Sequence, residues 1–170
     1  MTDGFDKSKW INLPRNVVVG HNALEEVPDV LETRLGFRTA VVVTSPTTRE
    51  IAGDRVADLI RDDGIEAETV VVESAGFDGI ERTVEVGEET GADILLGVGG
   101  GVPIDTAKVA ADDLDVPFVS VPTAASHDGI TSSRASVPDG ERRHSVNAHP
   151  PLGVVADTGI LSQAPFRLMA

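Results

Sequence analysis

The sequence contains no cysteine, which excludes disulfides and thiolate metal sites. Lysine is nearly absent, with Lys7, Lys9 and Lys108 the only three. Aromatic residues are few, and no apolar run approaches the roughly 18 residues that a membrane span needs. No N-terminal stretch joins a basic region to an apolar core, so a soluble cytoplasmic protein with no integral membrane segment is expected. Basic residues are scarce as well: 28 acidic side chains face 14 basic ones, for a net charge of -14. That balance argues against nucleic acid and anionic membrane as partners. An acid-rich, lysine-poor surface suits a halophilic protein, because high salt screens self-repulsion and makes solubility the harder problem. An ordinary acidic enzyme is the alternative. In either case Lys108 stands out as a lysine kept where lysine is rare.

What is present is organised around residues 94–108, Ile-Leu-Leu-Gly-Val-Gly-Gly-Gly-Val-Pro-Ile-Asp-Thr-Ala-Lys. A short apolar run leads into consecutive glycines and then a helical pattern, so a buried strand delivers the chain into a tight turn at a helix N-terminus. Glycine amides there can approach a phosphate closely, and the helix dipole favours its charge. Pro103 fits the first helical turn. A glycine-rich connection that merely packs strand on helix remains the alternative, since neither GxGxxG nor a Walker loop matches.

At 170 residues the chain is long enough for one domain or slightly more. Trp10, Leu13 and Pro14 are expected to anchor an extended entry. Asn16 to Val19 reads as a strand, and Ala23, Leu24, Val27, Val30 and Leu31 as one helical face capped by Asn22 and ended at Gly36. Residues 39–44 (TAVVVT) form a β-branched strand of the kind covered on both faces. Thr47 or Thr48 then caps a helix carrying Ile51, Val56, Leu59 and Ile60. Further strands are expected at 68–73, 92–97, 117–121 and 153–156. The helices between them are expected at 80–89, with Val84 and Val86 inward, and at 103–112, with a loop at 76–79. A turn at 136–140 suggests a hairpin arm ending near His144, and Asp157-Thr158 begins a helical turn. Strand and helix alternate, so the fold class is α/β: a Rossmann-like doubly wound parallel sheet with a hairpin arm. In such sheets ligands sit at the carboxyl ends of the strands. The loops at 44–48, 97–105 and 122–133 are therefore site candidates by position.

The third of these, Pro-Thr-Ala-Ala-Ser-His-Asp-Gly-Ile-Thr-Ser-Ser at 122–133, crowds hydroxyls, an imidazole and a carboxylate at one strand end. Such side chains also serve as ordinary turn residues. Taken together, the glycine turn and this polar loop suit a phosphate-bearing cofactor and a polyol-like substrate. GVGGGVPIDTAK followed by PTAASHDGITSSRASV resembles the iron- or zinc-dependent alcohol dehydrogenase and glycerol dehydrogenase superfamily. Leu13-Pro14-Arg15 and the Ser-His-Asp-Gly form of the loop are more similar to its archaeal glycerol-1-phosphate dehydrogenases than to its glycerol dehydrogenases.

The resemblance implies hydride transfer between NAD or NADP and dihydroxyacetone phosphate, giving sn-glycerol-1-phosphate for ether-lipid backbones. It places Gly101, Val102, Pro103, Ile104 and Asp105 around the cofactor pyrophosphate. Thr123, Ala124, Ala125, Ser126 and Ser132 go to the nicotinamide half, and Asp128 faces the substrate. It further implies a Zn2+ ion and a homo-oligomer in the full-length protein. The metal aspartate expected beyond Ala164-Pro165-Phe166-Arg167-Leu168 lies past the last residue, so no metal ligand and no catalytic residue is assigned within this chain. Residues 1–158 are then the dinucleotide-binding domain, and 159–170 the start of a helical metal-binding domain that is otherwise absent. The alternatives are a stand-alone dinucleotide-binding module without chemistry and a glycerol dehydrogenase relative.

Overall fold

The computed structural model describes residues 13–32, 36–74, 76–125, 128–139 and 142–168. Trp10, Ser126, His127 and the side chain of Asp128 lie outside the described residues. Six parallel strands form one sheet in the order β1-β8-β5-β4-β2-β3: β1 (Asn16–Gly20), β2 (Thr39–Thr44), β3 (Glu66–Val71), β4 (Ile94–Gly99), β5 (Phe118–Pro122) and β8 (Gly153–Asp157). The hairpin strands β6 (Arg134–Asp139) and β7 (Arg142–Asn147) pair antiparallel beside it. The helices are α1 (Val27–Glu32), α2 (Pro46–Thr48), α3 (Asp54–Asp62), α4 (Phe77–Thr90), α5 (Gly101–Asp113) and α6 (Thr158–Leu161).

Strand alternation sorts the apolar runs into two cores. Ala40 and Val42 of β2 and Ile94, Leu96 and Val98 of β4 pack with Val27, Leu31, Val56 and Ile60 on one face. Val41, Val43 and Leu95 pack with Ile104, Ala107, Phe118 and the hairpin residues Ala135 and Val137 on the other. Val84 and Val86 lie partly buried against that second core. Covering both faces is what an all-parallel sheet requires. Helix α5 is buried from Pro103 to Ala111. It sits so close to the sheet that a Cβ on Gly97 would lie 2.8 Å from the Ile104 Cα.

Several boundaries differ from the sequence expectation, each for a non-local reason. Asn22 does not cap with its side chain; it adopts a left-handed φ of 57°, which asparagine tolerates. The nearby Leu24 amide donates instead to the Asp157 carboxylate, 133 residues away. Asp157 also caps α6 through the Gly159 amide at 2.8 Å. Ser45, rather than Thr47 or Thr48, caps α2. Strand β3 starts at Glu66 because pairing with β2 sets its register, and α4 begins at Phe77, so most of 76–79 is helix. Gly79 is there for packing, since a Cβ would come within 3.3 Å of Val72. Strand β4 starts two residues late because the Asp93 carboxylate accepts the Arg38 and Thr39 amides at 2.9 and 3.2 Å. It then runs on through Gly99. Residues 136–139, expected in a turn, belong instead to β6, which pairs with β7 up to Asp139 opposite Arg142; Gly140 lies outside the described residues. The expected helical turn after Asp157 is present as α6.

Candidate functional site

The chain runs outward from β2 to β3 and then returns to β4 on the other side of β2. The strand order therefore reverses between β2 and β4, where open α/β sheets place ligands. Two loops meet there. Ser45 and Thr48 form a reciprocal capping box: the Thr48 amide donates to Ser45 Oγ at 3.2 Å, and the Ser45 amide donates to Thr48 Oγ1 at 3.0 Å. The Thr48 hydroxyl then crosses to β4 and donates to the Val98 carbonyl at 3.1 Å. A third loop joins through the Thr123 amide, which donates to the Gly99 carbonyl at 2.9 Å.

These bonds fix the glycine turn, and each glycine in it does a different thing. Gly99 has φ 149°, and a Cβ there would stand 2.7 Å from Thr48 Oγ1 and 2.8 Å from Pro103 Cγ, so only glycine fits. Gly100 is the residue before α5, and a Cβ built on it meets nothing within 4 Å; the space it faces is open to a ligand. The first helical bond runs from the Ile104 amide to the Gly100 carbonyl at 3.3 Å. The Gly101 and Val102 amides, in the first turn of α5, have no carbonyl four residues back in the helix.

Beside the turn lies a cleft of about 510 Å³ lined by Thr47, Thr48 and Ile51, by Thr123 and Ala124, and by Ile160, Gln163, Ala164, Pro165 and Leu168. The lining mixes the hydroxyls of Thr47, Thr48 and Thr123 and the Gln163 amide with aliphatic groups, which suits a flat heterocycle with a polar edge.

The residues singled out from sequence divide accordingly. Gly101 and Val102 are half-buried at the rim, whereas Pro103, Ile104 and Asp105 are buried beneath it. Thr123 and Ala124 line the cleft, and Ala125 is exposed. Ser132 does not line the cleft; its Oγ closes a local turn on the Arg134 amide and carbonyl, both at 3.3 Å. The backbone of Asp128 opens a 3-10 turn through Ile130. Sequence reasoning missed Thr48 as a bridge between strands, and also the cleft wall from Ile160, Ala164, Pro165 and Leu168.

Lys108 is completely buried. Its ammonium donates to the Gly129 and Arg134 carbonyls, both at 2.7 Å, and lies 3.5 Å from Asp105 Oδ1. Burial lowers its pKa below the ordinary lysine value, and Asp105 partly offsets the shift. The other Asp105 oxygen accepts the Ser136 amide at 3.0 Å. Among the described residues no three of His, Asp or Glu gather so as to hold a metal ion. The Asp157 carboxylate is taken up by three backbone amides, and His149 pairs with Asp112 on the surface. The described residues do not fit a metal centre. Among them no helix is long and apolar enough to cross a membrane.

Comparison with known proteins agrees with the fold. The family of iron-containing alcohol dehydrogenases matches residues 18–165. A glycerol-1-phosphate dehydrogenase [NAD(P)+] of Natronomonas pharaonis is 51% identical over 96% of this chain and 47% of its own. One from Haloarcula marismortui is 52% identical over the same shares. The chain thus spans about half the length of these relatives. The crystal structure of an NADH-dependent butanol dehydrogenase A from Thermotoga maritima superposes with a TM-score of 0.84 at 19% identity, covering 95% of this chain and 47% of that one. With its Rossmann-like parallel sheet and the match over most of its length, the chain belongs to the iron-containing alcohol dehydrogenase family.

Proposed function

We propose that this chain is the cofactor-binding half of an enzyme that reduces dihydroxyacetone phosphate to sn-glycerol-1-phosphate with NADH or NADPH. The observation that carries the reading is the pair of amides at Gly101 and Val102, set at a helix N-terminus where Gly100 leaves open space. A pyrophosphate suits that position. The name of the relatives at about 50% identity, glycerol-1-phosphate dehydrogenase [NAD(P)+], supports this reading of substrate and cofactor.

In this reading Gly101 and Val102 hold the pyrophosphate by their amides, while Pro103, Ile104 and Asp105 fix the turn from below. Thr123, Ala124, Ala125, Ser126 and Ser132 belong to the nicotinamide side, and Asp128 faces the substrate. The bound cofactor supplies the hydride; the residues of this chain orient it and exclude water. NAD-selective sites place an acidic side chain on the ribose after the second strand. Ser45, Pro46, Thr47 and Thr48 stand there instead, with Arg49 next, which supports use of both cofactors. The metal side chains belong outside the described residues, residues 1–158 form the cofactor domain, and the enzyme works in the cytoplasm of a salt-adapted cell as a homo-oligomer.

Turnover decides between this reading and a binding module without chemistry. NADPH oxidation with dihydroxyacetone phosphate and zinc, in high salt, is expected from the full-length protein and not from the 170-residue chain. The loss is at least about a thousandfold, the scale of removing an electrophile from a transition state. Turnover by the chain within tenfold of the full-length protein would overturn the division of labour. A preference for NADH of about a thousandfold would overturn the dual cofactor use.

A further inference from the structure

We propose that Lys108 and Asp105 are positioning residues that hold the substrate-side loop in register with the glycine turn; the proposal rests on the dehydrogenase reading above. Their placement on α5 is the starting point. The helix begins at Gly101, with the amides assigned to the pyrophosphate, and about two turns and roughly 10 Å further along it reaches Lys108. From there the buried ammonium donates to two carbonyls, Gly129 and Arg134, that lie at either end of the turn following Asp128. One helical turn back, Asp105 accepts the Ser136 amide of β6. Three backbone groups of residues 129–136 are thereby fixed to one rigid helix by two side chains.

An aliphatic residue would fill the same space without the cost of desolvating a charge. What a lysine adds is a point charge with several donors, able to hold two carbonyls at once. The ammonium also sits 5.8 Å from the centre of the Phe118 ring, so it is braced from the sheet side. Asp105 offsets part of the effect of burial on the ammonium and takes a loop amide at the same time. Neither residue lines the cleft, and the bonds of the Lys108 ammonium to the Gly129 and Arg134 carbonyls couple it to the site through the loop it holds. Because α5 also carries the phosphate amides, the spacing between cofactor and substrate loop is set inside one helix. A misplacement of about 1 Å between reacting groups can cost a factor of about a hundred in rate.

The test uses the full-length enzyme with Lys108→Met and Asp105→Asn, assayed well below the melting temperature of each variant. The expected result for Lys108→Met is a kcat lower by about a hundredfold, with NADPH affinity within about threefold of wild type. Asp105→Asn is expected to lose about tenfold in kcat. Hydrogen exchange at 129–136 accelerates in both, and the isotope effect with NADPH deuterated at the transferring position increases. If Lys108→Met does not fold, Asp105→Asn decides by kcat and by hydrogen exchange at 129–136. A folded variant with kcat within threefold of wild type or with unchanged exchange at 129–136, or Lys108→Met with kcat and NADPH affinity lost in equal proportion, would overturn the proposal while leaving the dehydrogenase reading intact. A wild-type enzyme that binds no NADPH would overturn both.

Discussion

The glycine turn and the polar turn at 128–134 belong to the same sheet rim but are held by opposite means. The first is shaped by the absence of side chains: Gly97 and Gly99 leave room for α5, Thr48 and Pro103, and the backbone of the turn is tied to its neighbours through Val98 and Gly99. The second is held by side chains that arrive from a helix 21 to 31 residues earlier in sequence. The turn proposed for a constant pyrophosphate is built from backbone, which is insensitive to rotamers. A loop assigned to the variable half of the reaction is instead adjusted by two side chains.

The largest effect expected from breaking this contrast is at Gly99. Gly99→Val adds a Cβ within 2.7 Å of Thr48 Oγ1 and 2.8 Å of Pro103 Cγ at a φ of 149°. Overpacking together with backbone strain gives a loss of about 3 kcal/mol or more. A denaturant midpoint measures it, and a loss below about 1 kcal/mol would show that the turn relaxes freely. Thr48→Val comes next: it keeps the volume, removes the hydroxyl donated to Val98, and is expected to cost about 1–3 kcal/mol. A midpoint equal to that of wild type would mean that the bridge between β2 and β4 is not part of the scaffold.

The two turns also differ in how much of them the sequence discloses. Consecutive glycines between an apolar run and a helical pattern announce the first turn by local residue types, and the alternation of strands and helices places it at the rim. The hold on the second turn is invisible to periodicity, because the partners of Lys108 and Asp105 are backbone groups of a distant segment. Its one trace is compositional: Lys108 is one of three lysines. Thr48 escaped notice because threonine at a helix start reads as a cap, and its second bond, to Val98, needs the sheet order to be known. The wall of the cleft at 160–168 likewise depends on where the chain returns after β8. Boundaries moved where a carboxylate or a neighbouring strand set the end, as at Asp93 and Glu66.

A smaller effect sharpens the contrast at Lys108. Its folded pKa lies below the ordinary lysine value of 10.5 because of burial. Between the lowered folded value and 10.5 the unfolded chain therefore binds more protons than the folded one, and stability rises with pH through that window. The chain has no cysteine and no tyrosine, so few other groups titrate there. In high salt the melting temperature of the wild type relative to Lys108→Met is expected to increase from pH 8 to pH 10.5. A difference that falls over this range would contradict the buried ammonium.

The most direct measurement is a titration of the 170-residue chain with NADPH in high salt, run beside Gly100→Val. Because a Cβ at Gly100 meets nothing within 4 Å, the account predicts a variant whose stability is within about 0.5 kcal/mol of wild type and whose NADPH affinity is weaker by at least about tenfold, or roughly 1.4 kcal/mol. Equal affinity in the two proteins would contradict the assignment of this turn to the cofactor.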